Sequence, residues 1–179
     1  MTAISVERLT AFRGGDLDDL CEAAEAAILA GGGFGWLTPP QRRILEAYWR
    51  GVLLIPERTV FVGRLDGVIA GSAQLVRPPR NNEAQSHSAN LTTNFVAPWA
   101  RGHGLARALT LAVEQAARAG GFAVLNLDVR ETQEAAIQLY RSLGYRQFGM
   151  HPYYARVGEG RVAGLYFWKD LGAEGETPA

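Results

Sequence analysis

The chain has 179 residues, 18 basic side chains against 18 acidic ones, and 47% hydrophobic residues. It is long enough to bury one sizeable core, and with no net charge it has no global field to gather nucleic acid or an anionic membrane surface. One cysteine cannot close an internal disulfide, Cys21, His87, His103 and His151 show no metal-type spacing, and Lys169 is the only lysine, which removes the Gly-Lys-Ser/Thr step of a P-loop. No stretch is apolar for long enough to span a bilayer. Together these features predict a soluble cytoplasmic protein without metal, with one domain over residues 1–170 and a flexible acidic tail over 171–179.

Ile4-Ser5-Val6-Glu7-Arg8-Leu9 alternates apolar and polar residues, the period of a half-buried strand. A helix follows, opened by Asp16 with Asp19 three residues on, and Leu17, Leu20, Cys21, Ala24 and Ile28 share one face. That stripe makes Cys21 a small buried hydrophobe rather than a nucleophile. The glycines of Gly31-Gly32-Gly33-Phe34-Gly35-Trp36 predict a mobile loop carrying two aromatics toward an acceptor pocket. Thr38-Pro39-Pro40-Gln41 has capping-box spacing with proline at the first helical position, so a second helix is expected over 39–52, with Ile44, Leu45, Tyr48, Trp49 and Val52 on one stripe.

Two β-rich runs, 59–65 and 68–76, flank Asp66-Gly67, the dipeptide of a tight hairpin. The proline-rich segment 77–83 is a loop. A strand is expected over 86–96, an amphipathic helix over 105–119 stopped by Gly120-Gly121, a buried strand over 122–129, and a helix over 133–143 between Thr132 and Gly144. Strand over 145–150 and 153–157, a turn at 158–160 and a return strand at 161–168 complete the order β-α-α-β-β-β-α-β-α-β-β, a mixed α/β layout.

The most informative run is Phe95-Val96-Ala97-Pro98-Trp99-Ala100-Arg101-Gly102-His103-Gly104, which leads straight into the helix at Leu105. A strand, a glycine-containing turn and a helix start aim unpaired N–H groups at one point with the helix dipole behind them, the arrangement that binds phosphate. Gly102, Gly104 and Ala106 leave the backbone accessible, and Arg101 adds a positive charge. A dinucleotide-binding turn would need a third glycine where this chain has Arg107, and too little chain follows Asp128 for more β-α units.

Arg101-Gly102-His103-Gly104-Leu105-Ala106, preceded by Phe95-Val96-x-Pro98, resembles the Q/R-x-x-G-x-G/A acetyl-CoA signature of the GNAT superfamily of N-acetyltransferases. Residues 125–129, followed by Ala135-Ala136-Ile137-Gln138-Leu139-Tyr140-Arg141-Ser142-Leu143-Gly144-Tyr145, resemble its second hallmark, an alanine-rich helix ending Leu-Tyr-x-x-x-Gly-Phe/Tyr. The resemblance covers about Ile4 to Asp170. It implies a central splayed β-sheet flanked by helices, acetyl-CoA as co-substrate, and acetyl transfer to an amine by direct attack in a ternary complex, a route that needs no cysteine.

Carried across by position, the resemblance has main-chain groups of Phe95 and Val96 pairing with the pantetheine arm. Backbone amides of Arg101, Gly102, His103, Gly104, Leu105 and Ala106 would hold the pyrophosphate, and Gln133 stands where the family often has a cofactor-contacting Asn. Tyr140 falls where the family commonly has the general acid for the departing thiolate, and a phenol of ordinary pKa, about 10, is protonated at neutral pH.

An ammonium acceptor must lose a proton before it attacks, and the base is open between His87, His151 and a water relay through Glu131 or a main-chain carbonyl. Phe34, Trp36 and Tyr153 are the expected acceptor-pocket lining. The charge balance favours a small or weakly charged amine. A protein N-terminus or lysine is the second acceptor class, and a CoA-binding module without turnover is the rival from another class. Tyr166-Phe167-Trp168 would suit a homodimer contact, leaving monomer or homodimer.

Overall fold

Alternation and helical period place the elements in the expected order. The computed structural model describes residues 2–32 and 34–172. Along the chain run β1 (Ile4–Leu9), α1 (Asp16–Leu29), α2 (Arg42–Val52), β2 (Arg58–Leu65), β3 (Val68–Val76), β4 (Ser88–Val96), α3 (Leu105–Ala119), β5 (Val124–Arg130), α4 (Glu134–Ser142), β6 (Arg146–Val157) and β7 (Gly160–Asp170). The strands form a seven-stranded sheet in the order β1-β2-β3-β4-β5-β7-β6. β4 and β5 run parallel, while β1-β2, β2-β3, β5-β7 and β6-β7 are antiparallel. Among the described residues no helix is long and apolar enough to cross a membrane. The chain gathers into two compact units, one of Met1–Arg77 with Leu91–Gln115 and the other of Pro78–Asn90 with Ala116–Ala179.

In the first unit, Asp66 and Gly67 turn the β2-β3 hairpin with φ of +50° and +90°, as a two-residue turn of this type requires. α1 lies against β3 and buries Leu20, Cys21, Ala24 and Ile28, the expected stripe. Its start differs from the expected capping box. Gly15 is the N-cap, and the Asp16 carboxylate instead accepts the Arg13 N–H at 3.1 Å and Arg64 Nη2 at 2.9 Å.

α2 begins at Arg42 rather than at residue 39. Pro40 pushes Pro39 out of helical geometry, and Gln41 stays extended (φ −53°, ψ 141°), so the helix forms only after both prolines. Leu45, Trp49 and Val52 are buried as expected, whereas Ile44 is exposed.

The glycine-rich segment departs most from expectation. Phe34 is buried in the core, its ring 4.8 Å from that of Phe95 and 6.0 Å from Trp49, while Trp36 packs partly exposed at 5.9 Å from Phe34. Phe34, expected to line the acceptor pocket, thus packs within the core of this unit. Once the glycines let the chain turn, burying the ring outweighs the polar-loop tendency of its neighbours.

In the second unit, the runs expected at 145–150 and 153–157 join in the single strand β6, and its register on β7 is irregular between Gln147 and Gly149 and between His151 and Ala155. The second irregularity contains Pro152, which lacks the N–H a regular ladder would use. β7 alternates so that Phe167 is buried between the half-covered Tyr166 and Trp168. Leu171, expected to open the tail, is buried, and its N–H donates to the Ala123 carbonyl at 2.8 Å. The rest of the expected tail, from residue 173, lies outside the described residues.

Candidate active site

In the first unit β4 delivers the signature turn. Phe95 and Val96 are buried, and the Ala97 N–H donates to the Ala70 carbonyl of β3 at 2.8 Å. A 3-10 turn at Pro98–Ala100 follows, and Arg101 returns to an extended conformation. Gly102 and Gly104 then take φ of +82° and +80°, a region that costs an L side chain about 1 kcal/mol or more. A Cβ at either would meet no atom within 4 Å, so the backbone conformation, not crowding, requires glycine there.

Residues 101–104 are exposed, while Leu105 is buried. The Ala108 N–H donates to the Gly104 carbonyl at 3.0 Å, so the N–H groups ahead of Ala108 start the helix without intrahelical partners, at its positive end. His103 holds a ring nitrogen 3.3 Å from the Ala100 carbonyl, a contact that requires the proton on Nδ1. An exposed turn of donors ahead of a fifteen-residue helix fits a pyrophosphate.

Two features fix this turn from behind, and neither stood out in the sequence. Thr93 takes φ +50°, rare for a β-branched residue, and kinks β4 two residues before Phe95. Asn94 Nδ2 then donates to Thr110 Oγ1 at 3.0 Å, and Thr110 Oγ1 donates to the Ala106 carbonyl at 2.9 Å. The strand end is tied in this way to the first turn of α3. Of β4, only Ser88–Asn90 stands in parallel register with β5, so Phe95 and Val96 lie outside that register.

In the second unit Gln133 is the N-cap of α4, its N–H donating to the Arg130 carbonyl and its carbonyl accepting the Ile137 N–H, each at 3.0 Å. Tyr140 is 5% exposed, its ring edge-on to Tyr145 at 5.6 Å and tilted against Phe167 at 6.4 Å. The ring is therefore locked by packing.

His87 does not stand with these residues. Its carbonyl accepts the N–H groups of Ala123 and Val124, at the start of β5. Gln133 and α4 follow the opposite end of β5, six residues or roughly 20 Å further along. The strand starts at Ser88, not at residue 86, and its parallel register sets His87 at the start of β5, away from Gln133 and α4. His151 uses Nδ1 to accept the Tyr153 N–H at 3.0 Å, and Glu131 Oε1 accepts the Ala163 N–H at 3.1 Å. Tyr153 is 63% exposed on β6.

The structure assembles one carboxylate arrangement that sequence reasoning missed. Tyr154 donates its hydroxyl to Asp128 Oδ2. Tyr166 stands opposite Asp128 in the β5-β7 register and packs edge-on to Tyr154 at 6.1 Å. A Cβ at Gly164 would overlap the Tyr154 ring, so the absence of a side chain there seats the tyrosine. Burial, then the bond to Asp128 and its charge, push the Tyr154 pKa up, which keeps the phenol a donor through neutral pH. The Asp128 carboxylate is exposed with one oxygen held. The sequence signal was an acid on the outward-facing positions of β5, in phase with Asn126 and Arg130.

Against known proteins, residues 19–145 match the Acetyltransferase (GNAT) family. The uncharacterized N-acetyltransferase of the hisH-hisA intergenic region of Azospirillum brasilense is 71% identical over 133 residues, 74% of this chain and 79% of that protein. An N-acetyltransferase from Staphylococcus aureus has the same fold, with a TM-score of 0.79 at 18% identity over 94% of this chain and 99% of that one. So does the yncA protein of Salmonella typhimurium, solved with its cofactor acetyl-CoA, at a TM-score of 0.77 and 19% identity over 99% of both chains. The family match runs from α1 through the end of α4 and takes in both the glycine turn and Tyr140, and the chain belongs to the GNAT family as an N-acetyltransferase.

Proposed function

We propose that this enzyme, acting as one acyltransferase domain over residues 1–170, moves an acetyl group from acetyl-CoA to the amine of a small molecule by direct attack in a ternary complex. The turn at residues 101–106 carries this reading, since its two left-handed glycines and exposed helix-start amides suit a pyrophosphate. Main-chain groups of Phe95 and Val96 receive the pantetheine arm, and Gln133 stands at the start of α4 for a further cofactor contact. The likeness to a Salmonella protein solved with acetyl-CoA supports the choice of co-substrate.

The acceptor ammonium gives its proton to Asp128, whose carboxylate Tyr154 holds in place. The amine nitrogen then bonds to the thioester carbon; as the C–S bond breaks the nitrogen releases its second proton to solvent, and the thiolate takes the Tyr140 proton, which the proton held on Asp128 restores through solvent exchange. The products are an N-acetyl amide and free CoA. Trp36 is partly exposed and so is open to an acceptor, and the balance of 18 basic against 18 acidic residues suits a small or weakly charged amine.

Free-thiol release from acetyl-CoA across a panel of small amines and N-terminal peptides tests the reading. Tyr140→Phe is expected to lower kcat about 10²-fold with little change in KM for acetyl-CoA. An unchanged kcat would remove the acid role. Calorimetric binding of acetyl-CoA without thiol release for any amine would leave a non-catalytic module, and absence of binding would sink both.

A further inference from the structure

Arg156 and Arg161 stand directly opposite each other on the β6-β7 hairpin, one pair inside its closing Val157–Gly160 pair. Like charges in directly opposed positions destabilise an antiparallel pair. Arg42, Arg50 and Arg64 of the other unit each have a carboxylate within 3.3 Å. Among the described residues neither hairpin arginine makes an ion pair, although Glu159 sits exposed in the turn between them. The Arg161 guanidinium lies over the Tyr153 ring, 4.3 Å from its centroid, a cation–π contact that ties the two side chains together. Tyr153, Ala155, Arg156 and Arg161 line an open hollow of about 470 Å³.

We propose that this hollow is an oxyanion site that takes a carboxylate or phosphate group carried on a small organic body. Arg161, tied to Tyr153, supplies a planar pair of N–H donors, and Arg156 closes on the same group from the opposite strand. The hollow opens to solvent, so the body that bears the acid group can extend outward from it. An anion between the two guanidiniums also relieves their mutual repulsion. Two sources share this chemistry: an acid group on the acceptor, or a phosphate of acetyl-CoA. Either role at the enzyme rests on the acetyl-transfer reading above, whereas anion binding by the hairpin does not.

Isotope-labelled full-length protein is titrated with sodium butyrate and with inorganic phosphate at fixed ionic strength, against sodium chloride. Saturating shifts of the Tyr153, Arg156 and Arg161 amides are expected, weakened about tenfold or more by combining Arg156→Gln with Arg161→Gln. Lysine at both positions should fall between, since it keeps the charge and loses the fork. Linear shifts matching those of chloride, or undiminished saturation in the double glutamine variant, would overturn the site. A KM that rises in that variant for a carboxylate-bearing amine, but not for its carboxamide or for acetyl-CoA, identifies the acceptor as the source. Hairpin shifts with acetyl-CoA that vanish with 3′-dephospho-acetyl-CoA identify the cofactor phosphate. If no amine is acetylated, the enzymatic reading fails and the titration still decides the site.

Discussion

Asn94 on β4 and Thr110 on α3 share a hydrogen bond of 3.0 Å, and the Thr110 hydroxyl in turn donates to the Ala106 carbonyl. Thr110 is fully buried, so its hydroxyl depends on these partners. The pair couples the end of the kinked strand to the helix turn whose amides face outward. Thr110→Val keeps the shape and removes both bonds, and it is expected to cost about 1–2 kcal/mol in chemical denaturation. Acetyl-CoA should bind several-fold more weakly by calorimetry, while Thr110→Ser should restore both quantities. Wild-type affinity in the valine variant would show that the helix start needs no such tie.

Two glycines on neighbouring strands offer a controlled comparison. A Cβ at Gly71 would come 2.5 Å from the Phe95 carbonyl oxygen, a backbone atom of β4. A Cβ at Gly63 would come 2.7 Å from Leu105 Cδ1, the end of a side chain. Backbone in a sheet cannot step aside, whereas Leu105 can change rotamer at some packing cost. Gly71→Ala is therefore expected to destabilise by about 2–3 kcal/mol and Gly63→Ala by about half that. The ranking of midpoints in urea tests it, and the reverse order would mean that the buried Leu105 is the more rigid neighbour.

Burial, outweighing the opposing field of Arg42, pushes the Cys21 thiol up to about 11 from an ordinary 9.0. The folded form holds its proton where the unfolded chain has released it. The stabilisation is thus fully present below pH 9 and is lost as pH rises from there through 11, about 2–3 kcal/mol in all. Cys21→Ala should flatten that alkaline decline in denaturation curves. A thiol reagent at pH 8 should label Cys21 only at the rate of unfolding, and rapid labelling of native protein would contradict its burial.

Where spacing carries the information, the sequence was legible. β1, β3 and α3 have the expected bounds because alternation and the i, i+4 stripe are local properties. The phosphate turn announced itself because left-handed positions ask for glycine, and Gly102 and Gly104 supply it. What stayed hidden depends on register or on distant packing. Phe34 looked like a loop residue because glycines surround it, yet Phe95, far along the chain, gives its ring a place in the core. His87 matched the chemistry of a base, and only the parallel register showed which end of β5 it meets. Asp128 and Tyr154 are 26 residues apart and meet only because β6 is irregular and Gly164 is bare.

The Asp128–Tyr154 bond can be dissected through Gly164. Tyr154→Phe removes the hydroxyl and leaves the ring seated, so the expected cost is about 1–2 kcal/mol for a bond to a charged acceptor. Gly164→Ala drives a methyl group into the ring and displaces it, costing more and taking the hydroxyl from Asp128 as well. If the clash is the whole effect, Gly164→Ala becomes nearly neutral in a Tyr154→Ala background, and the double-mutant cycle shows coupling of about 2 kcal/mol. Additive costs would mean that Gly164 is needed for something other than the tyrosine. The raised Tyr154 pKa adds a pH signature. Unfolded tyrosine ionises near pH 10 while the folded residue does not, so wild-type protein loses stability above that point and the Tyr154→Phe variant loses less. In acetyl transfer, both Tyr154→Phe and Gly164→Ala should lower kcat by loosening the carboxylate that takes the acceptor proton. Asp128→Asn should lower kcat further than either, and an unchanged kcat in that variant would assign the base elsewhere.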